Sequence, residues 1–228
     1  MGLKRILILG AGAQGQCIAN AILLVAKAGQ PVTAMGYLDD NPELCHKQVL
    51  GLPVFGPLKA LADMSYDSVI LGIGNNRLRG QLYEKLTSQG IKFITIVNPT
   101  ALIGQEVSIG PGTFIGGYVI VDIGTTIGAN VIIHGGSVIG HHNIIGDHVH
   151  IAPGVHTAGQ VSIGAAAMIG IGTNIIPQRS VGSWAVIGGG SLVNRNVPNN
   201  VTVAGVPAKP LDRPGIKTSK QERNLPSP

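Results

Sequence analysis

Residues 127–151 read "IGANVIIHGGSVIGHHNIIGDHVHI", with Ile127, Ile133, Ile139, Ile145 and Ile151 recurring at every sixth position. Followed in both directions, the frame runs from Ile103 to Val193. It adds Ile103, Ile109, Ile115, Val121, Thr157, Ile163, Ile169, Ile175, Val181, Ile187 and Val193, so fifteen of the sixteen positions are Ile or Val. The next residue is most often glycine. A six-residue period of branched side chains is the mark of a β-helix, in which each hexad forms one flat side of a coil. The branched residue points inward, the small residue after it turns the corner, and successive coils pair edge to edge about 4.8 Å apart. The frame has no break, so no large insertion interrupts the coils. The pattern lapses after Val197, and residues 211–228 read as a flexible tail.

Residues 1–98 follow a different rule. "KRILILG" is a short buried strand, and the "QCIANAILLVAKAG" that follows is an amphipathic helix closed by Gly29. "VTAMGYLDD" and "SYDSVILGIGNN" read as further strands, "RLRGQLYEKLTSQG" as a second helix and "KFITIVNPT" as one more strand. Alternating strands and helices with short links predict a small, mostly parallel sheet covered by helices. The expected fold class is thus an α/β N-terminal domain over 1–98, then an all-β parallel β-helix over 99–210.

Composition narrows the function. Hydrophobic residues make up 44% and aromatics only 4% of the 228 residues, so the core is built from small branched side chains. The two cysteines, Cys17 and Cys45, are too few for a disulfide framework and fit a reducing cytosol, which points to a cytoplasmic protein. The N-terminal "MGLKRILILGAGAQG" has no signal-peptide cleavage site, and no 18-residue stretch is free of charges or breakers, so no membrane insertion is expected. A formal charge of +5 without a basic run and interleaved aromatics argues against nucleic acid and fits small phosphate-bearing ligands.

The repeat resembles the left-handed β-helix of the hexapeptide acyltransferases, in which three hexads make one coil. "GAGAQG" at 10–15, "YLDD" at 37–40, "GIGNNRLR" at 72–79 and the closing "IGGGSLVNRNVPNNVTVAGVPAKPL" resemble the bacterial nucleotide-sugar N-acetyltransferases. Those enzymes acetylate the 4-amino group of nucleotide-linked dideoxy sugars. Sialic acid O-acetyltransferases share much of the pattern. The resemblance implies acetyl-CoA as acyl-donor co-substrate and a homotrimer with its active sites between subunits. The acceptor it implies is a UDP-, dTDP- or GDP-linked amino sugar.

Six of the seven histidines lie between residues 134 and 156. With three hexads to a coil, residues 18 apart stack, so His141 lies beneath Gly159 and a bare backbone leaves room for a ligand. Acyl transfer to an amine needs a base to take its proton, and an imidazole suits that at neutral pH. It also needs a donor for the thioester oxygen as that atom gains negative charge. The resemblance makes His141 the base and puts His150 on acetyl-CoA, together with Ile171 and Gly189. The Gly159 N–H is the candidate donor. Many relatives carry Glu or Asp directly after the base; here that position is His142. It either orients His141 without a full negative charge or leaves that work to an acid elsewhere. His134, His148 and His156 are expected at the surface or at subunit contacts. A metal site is not expected, because no histidines show the spacing of the hexapeptide carbonic anhydrases.

"GAGAQG" after a strand and before a helix also fits a dinucleotide fingerprint, with Asp39 or Asp40 on a ribose. The loop chemistry suits any nucleoside diphosphate, because glycine lets the backbone approach and the helix N-terminus favours negative charge. By resemblance Gly12, Ala13 and Gln14 line the nucleotide sugar, Asp39 and Asp40 face its base or ribose, and Gly74 lies near its sugar or phosphates. The expected function is therefore an acetyl-CoA-dependent sugar N-acetyltransferase. The alternatives are O-acetylation of a glycan hydroxyl, a non-catalytic nucleotide-binding trimeric scaffold, and a nicotinamide oxidoreductase.

Overall fold

The computed structural model describes residues 2–211; the expected tail from 212 onward lies outside them. β1 (Lys4–Leu9) is the centre of a three-stranded parallel sheet, flanked by β2 (Val32–Leu38) and the strand Ser68–Leu71. Its residues Ile6 to Leu9 have no exposed surface, because α1 (Ala13–Lys27) covers one face and α2 (Asn76–Ser88) lies on the other. Two glycines make this close packing possible. A Cβ on Gly15 would strike the Gly10 carbonyl, and one on Gly72 would reach the Gly15 backbone at 2.5 Å.

From Leu102 to Val193 every hexad is a two-residue strand, and each pairs in parallel with the strand 18 residues away. The result is a three-sided prism. The first face runs from Leu102–Ile103 to Leu192–Val193, the second from Ser108–Ile109 to Ser180–Val181, and the third includes Phe114–Ile115 through Val186–Ile187. The frame residues from Ile115 onward form one continuous buried interior. Where the sequence suggests an additional N-terminal strand, Ile96–Val97 instead pairs with Phe114–Ile115 and starts the third face; only Phe93 bridges back to the sheet, at Val69. The third face also continues past the lapse in the hexad frame, since Thr202–Ala204 pairs with Val186–Ile187 and then with Lys209–Pro210.

The N-terminal part sits on the third face. Phe114 and Ile132 present their outward side chains to the α1 cluster, and Tyr83 of α2 stacks on Phe93 at 4.4 Å. The corner between the first and second faces stands clear of this seam. That separation governs the site.

Candidate active site

His141 and His142 form the exposed corner between the first and second faces. Each turn of this corner places one residue in the left-handed backbone region: His142 has φ +55°, and Gly124 below it and Gln160 above it share that conformation. His142 lies over Gly124, where a Cβ would meet its ring at 2.9 Å. The two imidazoles are joined through their Nδ1 atoms at 3.1 Å, with ring planes 81° apart. One Nδ1 must donate and the other accept, which leaves the Nε2 edge of His141 facing Gly159. A Cβ on Gly159 would overlap that edge at Nε2 and Cε1. The Gly159 N–H has no partner among the described residues, while its carbonyl accepts from Gln178 at 3.1 Å. An imidazole edge and a free backbone donor thus share one exposed corner.

His150 lies elsewhere, on the third face at the seam with the N-terminal part. It is 8% exposed, its ring is 5.1 Å from that of His134, and it makes a polar contact with the Gly74 backbone. Burial first, then the charges of Arg79 and His134, hold its pKa down at about 4, against the opposing effect of Gly74. Nδ1 of His150 is buried without a partner. His134 is not the solvent-facing corner residue the sequence suggests: it packs edge-on against Phe114, and burial followed by the Arg79 charge lowers its pKa. His148 also belongs to the seam, bonded to Asn130 at 2.9 Å and Glu84 at 3.1 Å; His156 is exposed. Ile171 and Gly189 stack on the corner between the third and first faces, with Ile171 62% exposed.

A cavity of about 900 Å³ opens at the C-terminal ends of the parallel strands, where open α/β sheets bind ligands. Gly10, Asp39, Asp40, Lys59, Tyr66 and Ile73 help to line it. Both oxygens of Asp39 are engaged, accepting from Ala11 N–H at 2.7 Å and Asn41 N–H at 2.9 Å, so this acid shapes the glycine loop. Asp40 accepts from Leu58 N–H through one oxygen. Gly12, Ala13 and Gly74 are exposed at the cavity's margin rather than in its wall, and Gln14 is buried with its amide nitrogen unpartnered. Neither Gly12 nor Gly74 has a neighbour within 4 Å of a would-be Cβ, nor a left-handed backbone. The fold itself does not require glycine at either place, which leaves open space for a ligand.

The expected residues therefore fall into three groups. His141, His142 and Gly159 share one corner; His150 and Gly74 meet at the seam beside the cavity carrying Asp39 and Asp40; Ile171 and Gly189 occupy a third place. A single chain does not bring the first group to the others. Among the described residues no three His, Cys, Asp or Glu side chains converge as metal ligands.

The sequence gives no warning of Arg79. It is fully buried without a carboxylate, and donates to the carbonyls of Ile73 at 3.1 Å, His148 at 2.8 Å and Asn130 at 3.4 Å. Burial lowers its pKa to about 10. Asn76 accepts from Arg79 at 3.0 Å and donates to the Ala166 and Ala167 carbonyls, so "NNRLR" ties the cavity rim to the coils. Asn75 caps α2 through Leu78 N–H at 3.0 Å. In the sequence this stretch reads as a helix start within the motif "GIGNNRLR", with no sign of the tie to the coils.

Comparison with known proteins gives a consistent picture. Residues 5–86 match the family model of the PglD N-terminal domain. GDP-perosamine N-acetyltransferase of Escherichia coli is 34% identical over 188 residues, spanning 79% of this chain and 83% of its own length. PerB from Caulobacter crescentus, solved in complex with CoA and GDP-perosamine, superposes with a TM-score of 0.84 at 29% identity, covering 92% of this chain and 99% of its own. The acetyltransferase domain of PglB from Neisseria gonorrhoeae, solved with acetyl coenzyme A, gives 0.83 at 30% identity, covering 92% and 100%. The shared fold is a small α/β part followed by a left-handed parallel β-helix.

Proposed function

This chain belongs to the nucleotide-sugar N-acetyltransferases of the hexapeptide-repeat family, and we propose that it moves acetyl directly from acetyl-CoA to the 4-amino group of a nucleotide-linked dideoxy sugar. Acetyl-CoA is the co-substrate, and the acceptor is a nucleotide amino sugar. The observation that carries the finer reading is the His141 edge set against the free N–H of Gly159. The nucleotide enters the cavity beside Asp39 and Asp40. Its diphosphate lies over Gly12 and the N-terminus of α1, where unpaired N–H groups favour negative charge. The sugar then reaches Gly74, with His150 beside it on the acetyl-CoA.

This chain's own His141 corner is on another side of the prism, so the site is completed by His141 of the partner subunit in a homotrimer. The thioester lies in the groove between the two coils, with Ile171 and Gly189 along its course. The sugar amine attacks the thioester carbonyl, forming a C–N bond, and His141 Nε2 takes the proton that the nitrogen sheds. The carbonyl oxygen, now negative, is held by Gly159 N–H. Collapse breaks the C–S bond, and the imidazolium returns its proton to the departing thiolate. No covalent acyl-enzyme is needed. Neither Cys17 nor Cys45 lies in the coils, and both are free thiols, as suits a cytoplasmic enzyme.

The test is incubation with acetyl-CoA and a panel of UDP-, dTDP- and GDP-linked 4-amino sugars, read by mass spectrometry and CoA thiol release. One acceptor should gain a single acetyl group on nitrogen. Thiol release with acetylation only on hydroxyls, or on none of the sugars, contradicts the proposal.

A further inference from the structure

Thr157 is the one residue that breaks the Ile/Val frame, and it lies directly before the corner that carries Gly159. It is 4% exposed, and its Oγ1 accepts from the side-chain amide of Asn143, which has no exposed surface at all. The same oxygen shares with the Thr157 carbonyl the N–H of Gly140, the residue before His141, each at 3.1 Å. Asn143 Oδ1 in turn accepts from Val161 N–H at 2.6 Å, and Asn143 N–H donates to Thr125 Oγ1 at 3.1 Å. Thr125 completes the set by donating to the Gly140 carbonyl at 2.9 Å.

Other corners hold together with less. Thr113 alone braces the corner from Gly128 to Val131, and Ser137 alone that from Ala152 to Val155; one hydroxyl serves the carbonyl at entry and the N–H at exit. At the Gly159 corner Asn143 takes the exit N–H but gives its amide to Thr157, which also grips Gly140. The segment before the proposed base and the segment before the proposed oxyanion donor are thereby tied to one oxygen. For the fold alone a hydroxyl at 143 and an apolar residue at 157 would serve as well, because a buried polar pair must first recover its own desolvation.

We infer that Asn143 and Thr157 are positioning residues, an internal brace that fixes the His141 ring against the Gly159 N–H. The inference rests on the roles proposed above for those two groups.

The test uses the full chain in three forms: Thr157→Val, Thr157→Ser, and Asn143→Thr combined with Thr157→Val. The double variant restores the apolar frame and keeps a hydroxyl for the Val161 N–H, as Thr113 and Ser137 do at their corners, so its melting temperature should stay within a few degrees of the wild type. Both valine forms should lose at least about tenfold in kcat, since small misplacements of reacting groups are costly. KM for acetyl-CoA should stay within about twofold, and Thr157→Ser, which keeps the oxygen, should stay within about threefold in kcat. A folded double variant with wild-type kcat overturns the inference. If the double variant does not fold, equal losses in Thr157→Ser and Thr157→Val overturn it, because packing rather than the hydrogen bond then decides. Failure of the wild type to acetylate any amino sugar would instead be a failure of the functional reading.

Discussion

Gly159→Ala isolates the proposed chemistry from the fold. The glycine is not in a left-handed conformation, so alanine adds no backbone strain, and its carbonyl bond to Gln178 is untouched. The added methyl group overlaps the Nε2 edge of His141. To regain van der Waals separation the ring must retreat by more than about 1 Å. It is exposed and has somewhere to go, so the retreat costs little stability. A misplacement of this size costs on the order of 100-fold in rate, or about 2.7 kcal/mol in the barrier. The methyl group also crowds the N–H meant for the thioester oxygen, which pushes the loss in the same direction. The assay is steady-state kinetics with the best amino-sugar acceptor, following CoA thiol release, beside a thermal melt. The expected result is a kcat reduced about 100-fold with a melting temperature within a few degrees of wild type. A variant with kcat within about threefold of wild type would show that the ring and this backbone group do not act together.

Three further outcomes are expected. His150 has a pKa of about 4 when folded and an ordinary value near 6.5 when unfolded, so the unfolded chain binds more protons between these limits. Its contribution is fully present above 6.5 and is lost as pH falls toward 4, by about 3 kcal/mol at most; melting curves of wild type and His150→Gln should converge over that window, and parallel curves would refute the shift. Arg79→Met strands the carbonyls of Ile73, His148 and Asn130 and should lower the melting temperature by roughly 6–12 °C, from about 3 kcal/mol, whereas an unchanged melt would mean the seam does not depend on it. Gly74→Val has room within the chain, so it should leave the melt unchanged while raising KM for the nucleotide sugar at least about tenfold; an unchanged KM would remove Gly74 from the acceptor site.

What was legible in the sequence was whatever repeats or punctuates. The Ile/Val frame fixes each strand of the prism because a period of six allows no other register, and 18-residue spacing alone pairs His141 with Gly159. Features set by the meeting of two parts were not legible. Arg79 reads as an exposed helix cation until α2 docks on the coils, and His134 and His148 read as surface residues until the same docking half-buries them. Asp39 has the look of a ligand contact, yet its oxygens hold the glycine loop and the next turn. The break at Thr157 was visible as an exception, but its meaning needed Asn143, fourteen residues away and across the coil interior.

The proposed reaction requires His141 to reach a substrate held by another protomer. The most direct measurement is a crystal structure of the protein with CoA and the nucleotide amino sugar it acetylates. The sugar amine should lie within hydrogen-bond reach of Nε2 of His141 from the partner subunit, with the nucleotide in the cavity beside Asp39 and the CoA sulfur near Gly159. An amine remote from every His141, or a pantetheine arm bound away from that corner, would contradict it.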